Sequence, residues 1–381
     1  MQVINTGFSS LEATSSPAVR PATGHSRGVQ TNFCSPQSII RPDNDSEQTS
    51  KEYFMRVGIV WNHDYTGVIN RFGRSRPDDD EREALESVVA ALQEGGHETL
   101  LCEGDKELLT TLERFMPPDP QARPSGIVLN MAAGIQGDCR LAHVPAMLEM
   151  AGIPYTGSSP LGHGLALDKV TTKRLIRDCG VPTPNFCLMY SGEEDTGDLR
   201  YPLIVKPRHE YNSFGVQLVH KPAQLKRAVE AIVAQYAQDA LVEEYIEGRE
   251  ITIALLGNEE LEVLPLVERD FGERKTHLAT WEETPHRICP ARIECTVATK
   301  MRDISIATFL ACQCRDYARV DIRIDHSGQP FVLEINSMPV LSKGSLYTQA
   351  GMAAGYSLSS LVNRILDLAH TRYFGIGMPK N

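Results

Sequence analysis

The segment that decides the fold reads Arg319-Val320-Asp321-Ile322-Arg323 and continues, after His326-Ser327-Gly328, as Phe331-Val332-Leu333-Glu334-Ile335-Asn336-Ser337-Met338-Pro339. Polar and apolar residues alternate on both sides of the glycine, which predicts two short strands joined as a hairpin. Side chains two positions apart share one face of a strand, so Arg319, Asp321 and Arg323 lie together on the first strand. Glu334 and Asn336 lie together on the second strand for the same reason.

Paired face to face, these strands bring two carboxylates, an amide and a guanidinium to one place. The oxygen ligands of Asp321, Glu334 and Asn336 suit Mg²⁺, which combines a few protein oxygens with phosphate oxygens. Arg319 beside them can stabilise developing negative charge. The alternative is a solvated hairpin face without chemistry, which spacing alone does not exclude.

Composition limits the classes of function. The chain has 381 residues, of which 41% are hydrophobic, and a formal net charge of −11. This length predicts two or three domains with their own cores, and the acidic balance argues against a nucleic-acid surface. No apolar run approaches the ~20 residues of a membrane span. The nine cysteines are scattered and odd in number, which predicts reduced thiols and a cytoplasmic protein.

The chain changes character near Met55. Residues 1–54 are rich in Ser, Thr, Pro, Asn and Gln and are predicted to be a disordered tail, with a transit peptide or a true start at Met55 as alternatives. Beyond them, strands Val57–Trp61, His97–Cys102 and Gly126–Asn130 with helix Asp80–Gln93 form a βαβ pattern, which predicts a parallel sheet. Later segments with the period of a strand or a helix follow, over 203–206, 215–219, 223–237, 240–245, 249–256, 301–314 and 357–368.

Several spaced motifs accompany the hairpin. They are Gly152-Ile-Pro-Tyr-Thr-Gly157-Ser, Leu167-Asp168-Lys169 with Thr172-Lys173, Ile204-Val205-Lys206-Pro207, Leu241-Val242-Glu243-Glu244-Tyr245-Ile246-Glu247-Gly248-Arg249-Glu250, Cys289-Pro290-Ala291, and Ser345-Leu346 after Pro339. In this order they resemble the ATP-grasp ligases of the D-alanine–D-alanine ligase type, from about Met55 to the C-terminus. The resemblance implies a mixed α/β and α+β, ATP-grasp fold. Its parallel-sheet domain would span 55–155, and two α+β subdomains, 156–240 and 241–381, would enclose ATP. It also makes a homodimer possible.

The resemblance assigns roles around ATP. Lys206 ends an apolar strand, and from the residues alone it is either a solvated strand end or a phosphate ligand. The family pattern makes it a phosphate ligand. The cofactor-binding residues it implies are Lys169 and Lys206 for phosphate, Ser213 in the phosphate loop, Glu243, Glu244, Tyr245 and Ile246 for adenine, and Glu250 for the ribose.

The resemblance also assigns the metal and catalytic residues. Asp321, Glu334 and Asn336 would hold two Mg²⁺ ions, with Mn²⁺ possible, and Arg319 would stabilise a tetrahedral intermediate. Glu81 would bind the amine of the first substrate, and its alternative is an acid at a helix start. Ser345 would lie near the substrate carboxylate, and its alternative is a simple cap.

Four departures from the family pattern concern loops. Pro339-Val340 replaces Pro-Gly, Tyr211-Asn212-Ser213 replaces Gly-Ser-Ser, Asn130-Met-Ala-Ala-Gly134 replaces a His-Gly motif, and the lid over 276–283 lacks a Lys-Tyr pair. A valine cannot adopt positive φ cheaply, so the backbone contact expected at Val340 is in question. The ATP and metal residues survive while the substrate-facing ones change.

We therefore expect an ATP-dependent ligase that joins an amino acid amine to a carboxylate through an acylphosphate, releasing ADP and phosphate. One alternative is a ligase of a specialised pathway, of the mycosporine type, that attaches an amino acid to a non-peptide acceptor through an activated carbonyl. The other is a non-catalytic ATP-binding protein.

Overall fold

The computed structural model describes residues 54–62, 68–69, 82–272, 278 and 285–375. A three-stranded sheet opens the fold, with strands β1 (Arg56–Trp61), β2 (Glu98–Glu103) and β3 (Gly126–Asn130) in the order β2-β1-β3. Both pairings are parallel, as the βαβ pattern predicts. Helices α1 (Arg82–Glu94) and α2 (Leu108–Phe115) follow β1 and β2 in the chain.

A helical segment leads from this sheet to the next. The short 3₁₀ helix Arg140–Ala142 continues as α3 (His143–Ala151), which ends at Gly152 in the left-handed conformation, φ 70°. Helices α4 (Pro160–Leu167) and α5 (Lys169–Asp178) come next. Asp168 caps α5, because its carboxylate accepts hydrogen bonds from the first backbone amides of that helix.

The second sheet has four antiparallel strands in the order β4-β7-β5-β6. They are β4 (Phe186–Met189), β5 (Leu203–Pro207), β6 (Gln217–Val219) and β7 (Ala240–Glu244), with α6 (Pro222–Tyr236) between β6 and β7. The subdomain boundary predicted between 240 and 241 falls inside β7. The domain bounds themselves stay a prediction.

The third sheet is the largest. Its strands are β8 (Arg249–Gly257), β9 (Leu261–Val263), β10 (Val267–Asp270), β11 (His286–Ile288), β12 (Tyr317–Ile324) and β13 (Pro330–Asn336). Its order is β11-β10-β8-β12-β13, with β9 paired to β8. Helix α7 (Cys295–Ala311) precedes β12, and α8 (Leu346–Ala353) and α9 (Leu358–Phe374) close the chain. Helix α7 begins six residues before the predicted start at Met301, because the β-branched Thr296, Val297 and Thr299 weaken the helical signal.

The C-terminal helix returns to the first sheet. Leu361, Val362 and Ile365 of α9 lie in one buried cluster with Val88 and Leu92 of α1. A buried ion pair fastens the same helix, because Arg372 Nη2 lies 2.8 Å from Asp316 Oδ2. The helix thereby joins residues that are distant in the chain.

Asp316 is expected to be the most sensitive acid in the framework. It is 0% exposed and accepts hydrogen bonds from the Gly157 amide (2.7 Å) and from Asn258 Nδ2 (2.9 Å) as well as from Arg372. Asp316→Asn would leave the arginine without its counter-charge, so we expect it to lower the free energy of unfolding by about 3–5 kcal/mol.

Urea denaturation measures this loss. Asp303→Asn on the exposed side of α7 is the matched control and should change the free energy of unfolding by less than about 0.5 kcal/mol. Equal effects of the two substitutions would contradict the expected role of Asp316.

Candidate active site

A cleft of about 620 Å³ lies between the second and third sheets. It is lined from the second sheet by β5 and β7 and from the third by β8, β10, β12 and β13. The predicted site residues that line it are Lys169, Lys206, Ser213, Glu243, Glu244, Tyr245, Ile246, Glu250, Arg319, Asp321, Glu334 and Ser345. Asn336 lines a smaller cavity that adjoins the cleft. Glu81 lies outside the described residues, while Glu83, two positions further along, lines the cleft.

The hairpin that decided the fold has the predicted register. Arg319 pairs with Asn336 and Asp321 pairs with Glu334 across the antiparallel strands, and a bulge follows Asp321. Residues directly opposite each other share a face, so the two carboxylates, the amide and the guanidinium do converge. Asp321 accepts hydrogen bonds from Thr252 Oγ1 (2.7 Å), Arg319 Nη2 (3.0 Å) and Asn336 Nδ2 (3.4 Å).

Two lysines approach the carboxylates from the other side of the cleft. Lys169 Nζ lies 3.6 Å from Glu334 Oε2, and Lys206 Nζ lies 2.6 Å from Glu243 Oε1. Burial opposes the charge on Lys206, but Glu243 and Glu334 outweigh it and raise the pKa of this lysine. Burial lowers the pKa of Lys169 in spite of Glu334. Burial would raise the pKa of Glu334, but Lys169, Lys206 and Arg319 lower it to about 2, so this carboxylate is charged at neutral pH.

Glu243 lies between two buried cations. Its second carboxylate oxygen is 2.8 Å from Lys173 Nζ, and burial lowers the pKa of Lys173 to about 8 although Glu243 opposes that shift. Ile204 pairs with Glu243 across β5 and β7, so both side chains face the cleft together with Lys206. Glu243 thereby orients the lysine expected to meet phosphate.

The neighbouring Glu244 points the other way. Its carboxylate accepts hydrogen bonds from Arg200 Nε (3.0 Å) and Asn185 Nδ2 (3.1 Å), away from Lys206. Only its backbone is therefore offered to the cleft, followed by Tyr245 and Ile246. Arg323 stacks on Tyr245, with the guanidinium carbon 4.7 Å from the ring centroid.

Glu250 is enclosed by arginines. Arg269 Nη1 lies 3.3 Å and Arg323 Nη1 lies 3.6 Å from its carboxylate. Burial raises the pKa of Glu250, and the negative charges of Asp321 and Glu334 raise it further. The two arginines oppose this shift but do not cancel it. Arg269 is a cleft residue that sequence reasoning missed. The sequence feature that could have identified Arg269 is its positive charge within the short strand β10.

The loop around Ser213, which is predicted to bind phosphate, is held by a second residue that sequence reasoning missed. Arg140 Nη2 lies 3.0 Å from Glu210 Oε2, and its guanidinium carbon lies 5.1 Å from the Tyr211 ring centroid. The Lys169 ammonium donates to the Glu210 carbonyl. Asn212 and Ser213 adopt positive φ, at 54° and 57°, so two residues that are not glycine make the left-handed turn here.

Two further residues considered in the sequence, Ser345 and Val340, line the cleft. Ser345 caps α8, where its hydroxyl accepts a hydrogen bond from the Thr348 amide and donates one to the Val340 carbonyl at 2.7 Å, and it also lines the cleft. It is therefore the helix cap that one alternative predicts, and its position near a substrate carboxylate stays a prediction. Val340 does not adopt positive φ. Its backbone therefore avoids the strain that a valine would meet in that conformation.

His163 is a buried residue that contacts the end of the hairpin. It is 1% exposed, and its Nδ1 lies 2.8 Å from the hydroxyl of Ser337, the residue after Asn336. Burial lowers the pKa of His163 to about 4. Between pH 4 and 6.5 the unfolded chain therefore binds a proton that the folded chain does not, and the free energy of unfolding falls as the pH drops, by up to about 3 kcal/mol.

Replacement of this histidine tests the pH dependence. His163→Asn removes the titrating group, and we expect a shallower dependence of the free energy of unfolding on pH between 4 and 6.5 than in the native chain. Urea denaturation at several pH values measures both slopes. Equal slopes would show that His163 does not contribute to acid destabilisation.

Comparisons with known proteins identify the family. Residues 175–367 match the family model described as D-ala D-ala ligase C-terminus. A D-alanine–D-alanine ligase of Desulforudis audaxviator is 33% identical over 296 residues, which cover 75% of this chain and 92% of that protein. The protein y4sG of Sinorhizobium fredii, described as uncharacterized, is 66% identical over 334 residues, which cover 85% of this chain and 99% of that protein.

Solved structures show the same fold. The D-alanine–D-alanine ligase of Bacillus anthracis complexed with ATP aligns with a TM-score of 0.66 at 22% identity, covering 85% of this chain and all of that chain. The VanG D-Ala:D-Ser ligase of Enterococcus faecalis aligns with a TM-score of 0.64 at 20% identity, covering 83% of this chain and all of that chain.

The three sheets and the cleft between the last two define an ATP-grasp protein. The chain belongs to the D-alanine–D-alanine ligase family. Among the helices that the structure describes, none has both the length and the apolar character needed to cross a lipid bilayer.

Proposed function

We propose that the protein is an ATP-dependent ligase that joins the amine of an amino acid to a carboxylate and releases ADP and phosphate. One observation carries the proposal. Lys169 and Lys206 line the same space of about 620 Å³ as Asp321, Glu334 and Arg319, and Lys169 Nζ lies 3.6 Å from Glu334 Oε2. The phosphates of a nucleoside triphosphate carry the negative charge that such lysines bind.

The adenine would lie against β7. Ile204 supplies an apolar surface, and the backbone from Glu244 to Ile246 offers hydrogen-bonding groups along the same edge of the cleft. Pockets of this kind combine apolar walls with a few placed polar groups. Glu250, further along the cleft, would hold the ribose hydroxyls, while Arg269 and Arg323 fix its carboxylate.

The hairpin fits magnesium. Asp321 and Glu334 are directly opposite on neighbouring strands, and Asn336 Nδ2 lies 3.4 Å from Asp321 Oδ2. No group of three or more His, Cys, Asp and Glu side chains placed to hold a metal occurs within the ranges that the structure describes. Two carboxylates and one amide are nonetheless the donor set that suits Mg²⁺ or Mn²⁺ when phosphate oxygens complete the shell. Two bound ions would neutralise charge on the terminal phosphates of ATP.

The proposed reaction uses these groups in two steps. A substrate carboxylate oxygen attacks the γ-phosphorus, the bond to the β-phosphate oxygen breaks, and ADP leaves. The amine then attacks the carbonyl carbon of the acylphosphate, the carbon–nitrogen bond forms, the amine loses a proton, and phosphate leaves. Arg319 would stabilise the oxyanion of the second step. Its Nε is buried and has no hydrogen-bond partner among the described residues.

Phosphate release from the full chain tests the proposal. The assay contains Mg-ATP and single amino acids, each with and without carboxylate and carbonyl acceptors, and mass spectrometry identifies the products. We expect phosphate only when both substrates are present, in a one-to-one ratio with an amide product. If phosphate is released with D-alanine alone and the dipeptide forms, the substrate is D-alanine, as in the relatives named above.

Two other outcomes would replace the proposal. A product in which the amine has condensed with a ketone or enol carbonyl would favour the activated-carbonyl reaction. Binding of ATP without phosphate release across the whole panel would favour a non-catalytic ATP-binding protein. Equilibrium binding of ATP with and without Mg²⁺ separates this last outcome from a chain that has lost its site.

A further inference from the structure

A second cavity of about 90 Å³ opens beside the reaction cleft. Lys169, Arg319 and Glu334 line both spaces, so the cavity begins where the reacting groups are proposed to meet. Its far wall is built from Met131 and Ala133, which follow β3, and from segments before α3 and after β13. A substrate that reacts in the cleft can therefore extend one group into this cavity.

The far wall is apolar. Ala133, Leu141 and Leu167 form one buried cluster, and Met338 packs against it. Leu341, 1% exposed, lines the same cavity. The charged groups of the lining, Lys169, Glu210, Arg319 and Glu334, all line the reaction cleft as well, so they mark the side on which the cavity meets it.

The cavity volume limits the size of the group. An apolar cavity of about 150 Å³ binds benzene, which has six carbon atoms. By proportion, 90 Å³ accommodates about three to four carbon atoms. A methyl group would leave most of the space unfilled, and a charged group would lose its hydration against an apolar wall.

We infer that the amino acid substrate of this ligase carries an apolar side chain of three to four carbons, of valine or leucine size. This inference rests on the proposed function, because it places the amino acid in the site that the function defines. The side chain lies in the cavity lined by Ala133, Leu141 and Met338, while the reacting group faces Arg319. The departure of residues 130–134 from the family pattern supplies two of the wall residues.

Two measurements test the inference. With the acceptor that supports release in the preceding panel held at saturation, initial rates of phosphate release give kcat/KM for alanine, valine, leucine, phenylalanine and glutamate, in both enantiomers. Isothermal titration of the same amino acids into the full chain, saturated with Mg²⁺ and a non-hydrolysable ATP analogue, gives their affinities without turnover. We expect valine or leucine to exceed alanine at least about tenfold, since one methylene in a fitted pocket is worth about 10- to 200-fold.

Two variants change the cavity in opposite directions. Ala133→Leu adds three carbons to the wall and should lower kcat/KM and affinity for leucine at least about tenfold while alanine is affected less. Leu141→Ala removes three carbons and should move the preference toward phenylalanine. Ala223→Leu, on the exposed start of α6, is the matched control and should leave the order of substrates unchanged. Retained ATP binding and a single cooperative unfolding transition show that each variant is folded.

The outcomes separate this inference from the proposed function. Selective binding of leucine that Ala133→Leu abolishes, without phosphate release with any acceptor of the panel, would support the cavity and reject the ligase reaction. Turnover that is fastest with alanine or glutamate would keep the ligase and overturn the inference. Equal binding of all five amino acids, or binding of none, would overturn it as well.

Discussion

Glu334→Gln is expected to lower the kcat for phosphate release at least about 10³-fold, equivalent to about 4 kcal/mol of activation free energy. Glu334 is one of two carboxylates on the proposed metal face, and the nearby Lys169, Lys206 and Arg319 keep its pKa near 2. Glutamine keeps the size of the side chain but removes the charge that attracts Mg²⁺. It also leaves both lysines without this counter-charge, so phosphate would be bound but held in the wrong position.

A titration with Mg²⁺ separates the two consequences of this substitution. If only metal affinity is lost, high Mg²⁺ should restore part of the activity, whereas a positioning defect would persist at saturation. Glu259→Gln, at an exposed position just after β8, is the matched control and should keep native kcat. An activity of Glu334→Gln within about tenfold of the native value would contradict the assignment of Glu334 to the metal site.

Arg319→Lys is expected to lower kcat by about 10²–10³-fold with a small change in the KM for ATP. The arginine can make two contacts at once. Its Nη2 donates to Asp321 at 3.0 Å, while its Nε has no partner among the described residues. Lysine keeps the positive charge but has one nitrogen, so it can serve either Asp321 or the oxyanion. The loss should therefore appear in the chemical step.

Single-turnover measurements check that assignment. They should show slow formation of the amide after ATP has bound normally. Arg302→Lys on the exposed side of α7 is the control and should leave both constants unchanged. A variant at Arg319 that raises only the KM for ATP would place this residue in ground-state binding instead.

The hairpin shows how far local pattern determines structure. Alternation of polar and apolar residues with a period of two predicted both strands, and the structure confirms that Asp321 and Glu334 are directly opposite. The bulge after Asp321 follows this pair, so it does not disturb the alignment at the site. The parallel first sheet followed from the same kind of reasoning, because strands that alternate with helices pair in parallel.

Contacts between distant segments were beyond such reasoning. Arg140 reaches Glu210 across 70 positions, and Lys173 and Lys206 meet at Glu243 from different elements. Neither pairing can be predicted from the spacing of residues in the sequence. A charged residue is expected to be exposed to solvent unless its partner is known. The sequence suggested Glu243 as a partner for adenine. The structure shows it held by two lysines, and its contact with adenine stays a prediction.

The order of motifs along this chain was enough to determine the family, the strands of the hairpin and many of the charged residues that line the cleft. These are local properties, and residue type and spacing encode them directly. Only the tertiary structure decided that the loop after β3 and the segment after β13 enclose an apolar cavity beside Arg319. Cavity shape depends on how far apart packed elements come to rest, and that distance is set by the side chains of the whole core.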